Sequence, residues 1–188
     1  MGGAPPPRPF PPANNDTNTS SITFMNSKVS TALLEQANHE LFAAHSYKAM
    51  ALWCSFKDYP GFAEFFSSQA EEEQEHADKF LEFLLERGER PILSSIEVPK
   101  PDFSSLSEIA EYALKLEKIN SQKIEACYEL ALETKDYASQ PLLLEFISEQ
   151  VEEEAWADTM ISLTKRAECP GASLNLDRHI VKILSEPE

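Results

Sequence analysis

Four stretches of this chain carry apolar residues at alternating spacings of three and four, and each such stripe contains ionisable side chains near its middle. The first runs Val29, Leu33, Ala37, Glu40, Ala44, Tyr47, Ala51. The second runs Phe62, Phe66, Gln69, Glu73, His76, Phe80, Phe83. The third is Leu106, Ala110, Ala113, Glu117, Asn120, Ile124, Cys127, Ala131, and the fourth is Leu142, Phe146, Glu149, Glu153, Trp156, Met160, Leu163. This rhythm belongs to helices that bury one face in a bundle. A carboxylate on such a face costs several kcal/mol unless something compensates it. One would be a defect, whereas a set on all four stripes requires a shared counter-charge.

The breaks between stripes order the helices. The first helix is expected from Lys28 to about Asp58, and Pro60 suits the first turn of a second helix that lasts to Gly88. Residues 88 to 105 hold Gly88, Pro91, Pro99, Pro101 and two Ser-Ser pairs. They form a connection longer than a usual helix-to-helix loop, one that crosses the length of the bundle. The fourth helix begins after Pro141 and ends at Cys169-Pro170-Gly171. A short amphipathic segment at about 173 to 185 (Leu174, Leu176, Ile180, Val181, Leu184) predicts a fifth helix too short for bundle membership. Two short links and one long crossover describe an all-α, antiparallel four-helix bundle of the ferritin-like topology.

Residues 1 to 26 differ in kind, with six prolines among the first twelve positions and then a run of Asn, Ser and Thr. A disordered tail is expected there, with the bundle and the short fifth helix occupying 27 to 188. Arg8 and Asp16 cancel within the tail, so the formal charge of −16, from 32 acidic and 16 basic residues, belongs to the helical part. That charge argues against nucleic acid or an anionic membrane as partner and for cations. No apolar run reaches the roughly 20 residues of a spanning helix, and no secretory signal opens the sequence. The three cysteines, Cys54, Cys127 and Cys169, are odd in number and widely spaced, and are expected to be reduced thiols. A cytoplasmic location is expected, or a plastid or other organelle if the tail is a targeting remnant.

The separations of the ionisable residues repeat. Glu40 to Glu73 and Glu117 to Gln150 are both 33 residues, and Glu40 to His76 and Glu117 to Glu153 are both 36. Each hairpin therefore carries one lone carboxylate on its first helix and an i, i+3 pair on its second, the layout of a carboxylate-bridged dimetal site. The pairs are not identical, because Gln150-x-x-Glu153 stands opposite Glu73-x-x-His76. A neutral amide is a weak ligand, so one metal position is expected to be held less tightly. Glu72, beside Glu73, together with Glu149 and Glu152 forms an acidic group next to this centre, read either as a third metal position or as a solvated rim. Oxygen and imidazole donors suit iron or zinc.

Asn38-His39-Glu40-Leu41, Gln69-Ala70-Glu71-Glu72-Glu73-Gln74-Glu75-His76, Leu116-Glu117-Lys118 and Ser148-Glu149-Gln150-Val151-Glu152-Glu153-Glu154 resemble the motifs of the ferritin family, and within it the non-haem bacterial type. The resemblance covers residues 28 to about 186. It implies iron storage in a homo-oligomeric, hollow 24-subunit cage, with a ferroxidase centre inside each subunit that oxidises Fe(II) to Fe(III) with dioxygen or peroxide and delivers a ferric mineral. Carried over by position, Glu40, Glu73 and His76 resemble the ligands of the first iron. Glu73 resembles the bridge to a second iron held by Glu117 and Glu153, and Gln150 resembles the nearby amide. Glu72, Glu149, Glu152 and Glu153 resemble a third iron site, and Tyr47 matches a tyrosine that can lend an electron. Glu153 occupies the position where bacterioferritins carry a second histidine, and Met25 and Met50 lie in the tail and first helix, so no haem is expected. Gln140, Leu143 and Leu144 replace the acidic pore residues of animal-type ferritins, so the iron access route of those proteins does not transfer.

Overall fold

The long stripes fold as four helices: α1 (Ser27–Phe56), α2 (Pro60–Glu86), α3 (Leu106–Glu133) and α4 (Gln140–Arg166). Two short helices follow, α5 (Pro170–Asp177) and α6 (Ile180–Ser185). The computed structural model describes residues 25–185. Most of the expected tail lies outside those residues, but two of its positions do not: Met25 is buried, and Asn26 caps α1, its Oδ1 accepting from the Lys28 amide at 2.9 Å.

Local chemistry sets the helix ends. Asp58, with φ of 60°, turns the chain tightly between α1 and α2, and Pro60 occupies the first turn of α2, where its missing N–H has no helical partner to lose. Ser105 Oγ accepts from the Glu108 amide at 3.1 Å while Glu108 Oε2 accepts from the Ser104 amide at 2.6 Å, a reciprocal cap on α3. Pro141 stands in the first turn of α4, which begins one residue earlier, at Gln140.

The segment of residues 87–105 is the expected crossover, and its contacts trace its course. Near its start the Ser94 amide donates to Asn38 Oδ1 at 3.0 Å. Near its end Asp102 Oδ1 accepts from Trp53 Nε1 at 2.8 Å and Phe103 packs edge-on against Trp53. Asn38 and Trp53 are separated by about 22 Å of helix, so the segment follows α1 for half its length. It thereby brings α3 back to the C-terminal end of α1, antiparallel to it.

Two features depart from the sequence expectation. The buried side of α4 is Leu143, Phe146, Gln150, Glu153, Ala157, Met160 and Thr164, so Leu142, Glu149, Trp156 and Leu163 flank the seam instead of forming it. A half-step rotation fits the 3.6-residue period equally well, and packing against the neighbouring helices selects it, Phe146 on Phe80 of α2 and Gln150 on Glu117 of α3. The predicted fifth helix is two pieces. His179 Nδ1 bonds the Asn175 carbonyl at 2.8 Å and the His179 amide returns to Leu176 O at 3.0 Å, so the backbone bond that would continue the helix is replaced. Asp177 Oδ1 accepts from the Phe62 amide at 3.0 Å, tying α5 to the first turn of α2.

The apolar interior is divided. One cluster, with Tyr47, Met50, Phe62, Phe66, Ile109 and Met160, fills the end of the bundle nearest α5 and α6. The other, with Val29, Leu33, Phe80, Leu84, Ile124, Leu143 and Phe146, fills the opposite end. Between them lies a polar layer.

Candidate metal centre

All four long helices contribute to the layer. Glu40 from α1, Glu73 and His76 from α2, Glu117 and Asn120 from α3, and Gln150 and Glu153 from α4 are buried. Glu40 is 0% exposed and Glu153, the most accessible of them, 8%. Each sits where the helical period would otherwise place a core residue: Glu40 between Ala37 and Ala44, Glu73 between Phe66 and Phe80.

Glu40, Glu73 and His76 converge, with one potential ligand atom from each lying within 4.8 Å of the others. This group is a possible metal-binding set. His76 Nδ1 is 3.3 Å from Glu73 Oε2, an i, i+3 contact along α2. On the α3 side, Glu117 accepts from the Tyr47 hydroxyl, and its Oε2 accepts from Gln150 Nε2 at 3.1 Å. Glu153 Oε2 accepts from the indole N–H of Trp156, one turn further along α4.

Electrostatics mark the layer as short of positive charge. Burial, then the charge of Glu73, holds the Glu40 carboxyl well above the ordinary range, and burial followed by Glu117 does the same to Glu73. Burial raises Glu117 despite the hydrogen bonds from Tyr47 and Gln150. Glu153 is pushed up to about 8, by burial first and Glu117 second. The Tyr47 hydroxyl is also raised, by burial and then by Glu117. Carboxyls in this condition take up a divalent cation with release of protons.

The acidic group beside the centre behaves differently. Glu72 and Glu152 are exposed, and Glu72 Oε2 accepts from Gln69 Nε2 at 3.0 Å. Glu149 is half-buried and faces both ways. Its Oε1 is 3.4 Å from Lys79 Nζ, while its Oε2 is sealed from solvent without a hydrogen bond, 3.5 Å from His76 Nε2. Glu71 and Glu75 face solvent. His39 Nε2 is buried without a partner away from the layer, and burial followed by Lys123 lowers its pKa to about 4.

Gln36 went unassigned in the sequence and is part of the layer. It lies one turn before Glu40, and its Nε2 donates to Glu40 Oε1 at 2.7 Å. The Leu33, Ala37, Glu40 stripe passes beside it, and the i, i+4 spacing from Glu40, which surface pairs share, is its one signal in the sequence. Trp156 stood on the stripe but drew no role, although its i, i+3 distance to Glu153 permits the bond it makes.

Four antiparallel helices with one long crossover and a buried Glu–Glu–His group define a ferritin-like bundle, and residues 30–167 match the model of the ferritin-like domain. The chain belongs to the ferritin family. A bacterial non-heme ferritin of Staphylococcus saprophyticus is 41% identical over 142 residues, spanning 76% of this chain and 85% of that protein. One from Staphylococcus epidermidis is 44% identical over 135 residues, 72% of this chain and 81% of that protein. Among solved structures, an open pore ferritin from the hyperthermophilic archaeon Archaeoglobus fulgidus aligns with a TM-score of 0.80 at 32% identity, covering 87% of this chain and 99% of that one.

Proposed function

We propose that this chain is an iron-storage ferritin subunit whose polar layer is a ferroxidase centre. The observation that carries the reading is the buried convergence of Glu40, Glu73 and His76, two carboxyls facing a single imidazole with no lysine or arginine in the group. Glu40 and His76 bind the first Fe(II), Glu73 bridges, and Glu117 and Glu153 bind the second. Gln150 stays beside Glu117 as a neutral amide that orients it. Each Fe(II) gives up one electron. Dioxygen accepts two electrons and two protons to become hydrogen peroxide, or peroxide accepts two of each to become two waters, and the ferric product moves inward to mineralise.

The protein supplies donor geometry and a dry, electronegative site. Tyr47, which donates its O–H to Glu117, supplies one of the electrons the oxidant accepts when only one Fe(II) is bound, giving up its phenolic proton as it does so. Glu72, Glu149 and Glu152, with Glu153, form a third, more exposed iron position. Storage requires a container, and we assign the chain to a 24-subunit homo-oligomeric shell. Large apolar side chains left open on the crossover and helix ends, among them Ile92, Leu93, Phe56 and Val98 at 89% exposure, support burial between subunits. We propose a cytoplasmic placement; separately, no helix among the described residues is long and apolar enough to cross a membrane.

Replacing Glu73 or His76 with Ala is expected to abolish rapid Fe(II) oxidation, followed by stopped-flow absorbance, while the native mass is unchanged. Oxidation at the unaltered rate would refute the site assignment. Aerobic iron loading followed by size-exclusion chromatography tests storage: iron must elute with a particle far larger than the 21.1 kDa chain.

A further inference from the structure

The carboxylate of Glu40 is held on both oxygens by neutral amides from two helices. Gln36 Nε2 donates to Glu40 Oε1 at 2.7 Å and to Asn120 Oδ1 at 2.6 Å, and Asn120 Nδ2 donates to Glu40 Oε2 at 3.0 Å. The three side chains close a ring, and all are buried, Gln36 and Asn120 at 2% exposure each. Both amide nitrogens face Glu40 and the Asn120 oxygen faces Gln36, the orientation that suits Glu40 in the ionised, acceptor-only form a bound cation requires.

Neither amide is needed to fill space as an amide. A leucine or methionine would fill the space at either position but leave a buried Glu40 oxygen without that donor, and burying two amides costs free energy unless each finds partners. Nor do they neutralise Glu40. A lysine or arginine in either place would cancel the charge that a cation must use, whereas an amide fixes direction and leaves the charge available. Asn120 stands one turn beyond Glu117 on α3, so the ring also ties the helix carrying the second metal position to a ligand of the first.

We propose that Gln36 and Asn120 are positioning residues that fix Glu40 as a ligand of the first metal position. Outer hydrogen-bond partners of this kind orient ligands, and their loss costs about 10- to 100-fold in metal affinity. The effect is confined to one position: Glu40, Glu73 and His76 lose their anchored member, while Glu117 keeps its bonds from Tyr47 and Gln150. This inference rests on the dimetal reading above.

The test is an anaerobic titration of the assembled, demetallated protein with Co(II), monitored by its d–d absorption and by calorimetry. Asn120→Leu keeps the branching at Cγ and removes both bonds of Asn120. The expected result is a loss of about 10- to 100-fold in affinity for the Glu40-side equivalent, with a changed absorption band for that equivalent, while the other equivalent keeps its affinity. If Asn120→Leu does not assemble, Gln36→Met in the same titration decides by the same criteria. An isotherm and spectrum like the unaltered protein's, with only a lowered melting temperature, would overturn the proposal by showing that the amides merely pack. Equal weakening of both equivalents would overturn it too. If the unaltered protein binds no Co(II), or Glu73→Ala binds as well as it does, the dimetal reading itself fails, an outcome distinct from either of these.

Discussion

Glu153→Gln should stabilise the metal-free protein increasingly as pH rises. The Glu153 carboxyl is raised from an ordinary value near 4.5 to about 8, chiefly by burial. A raised carboxyl binds its proton more tightly in the folded state, so its contribution to stability is complete below about 4.5 and is lost as pH climbs through about 8. A shift of that size corresponds to roughly 5 kcal/mol. Glu117 is its second cause and also binds a proton more tightly when folded, so about half, roughly 2–3 kcal/mol, is the effect expected from this one position. Glutamine mimics the protonated side chain, still accepts from the Trp156 indole, and does not titrate. Melting of demetallated protein at fixed protomer concentration, from pH 5.5 to 8.5, is the assay. The variant should melt only about 1–3 °C higher near pH 5.5 and about 5–10 °C higher at pH 8.5, given about 2–4 °C per kcal/mol for a domain of this size. Added Zn(II) should narrow the gap, because the variant keeps the Glu40, Glu73 and His76 position but has lost a charged ligand of the second one. Parallel curves, or a gap that narrows with pH, would refute the argument.

Tyr47→Phe keeps the ring stacked near Phe66 but removes the hydroxyl donated to Glu117. Metal stoichiometry should be retained and the stopped-flow oxidation rate fall about tenfold, a change of roughly 1.4 kcal/mol in barrier. An unchanged rate would leave Tyr47 a packing residue. Glu149→Ala or Glu152→Ala should lower anaerobic Fe(II) binding from three to two per subunit without abolishing rapid oxidation, and a retained third equivalent would remove these residues from the third position. Gly61→Ala would place a Cβ 1.8 Å from the backbone oxygen of Asp177. A cost of about 1–3 kcal/mol is expected. It should appear as a lower melting temperature and faster proteolysis within residues 170–185, and wild-type values for both would contradict the close approach.

The four helices and their order were legible because long amphipathic stripes bounded by Pro60, Gly88 and Pro141 admit few alternatives. The crossover was legible from its prolines and length. The position of Glu40, Glu73 and His76 in one layer followed from matched separations of 33 and 36 residues, which constrain facing helices more than any single motif does. The seam of α4 was not, because Glu149 and Gln150 are neighbours on the helix and either can lead an apolar face. The packing of Phe146 against Phe80, at 4.3 Å between ring centroids, is one of the contacts made by the seam that turns Gln150 inward. The break in the last helix depends on a histidine ring reaching a backbone carbonyl and on Asp177 reaching across to α2, contacts with no periodic signature. Gln36 was missed because a glutamine on a helix surface and one inside a hydrogen-bonded ring read identically until the partner helix is known.

The polar layer lies between two separate apolar clusters, so the scaffold and the chemistry occupy different floors of the same bundle. Most of the open apolar side chains lie toward the helix ends and on the crossover. A copy whose middle floor was rewritten in leucine and methionine would keep both outer floors and the same outer surface. In the 24-subunit shell proposed above, such a copy would stand beside active ones, and mixing chains would adjust the number of working centres per shell without any change to the container.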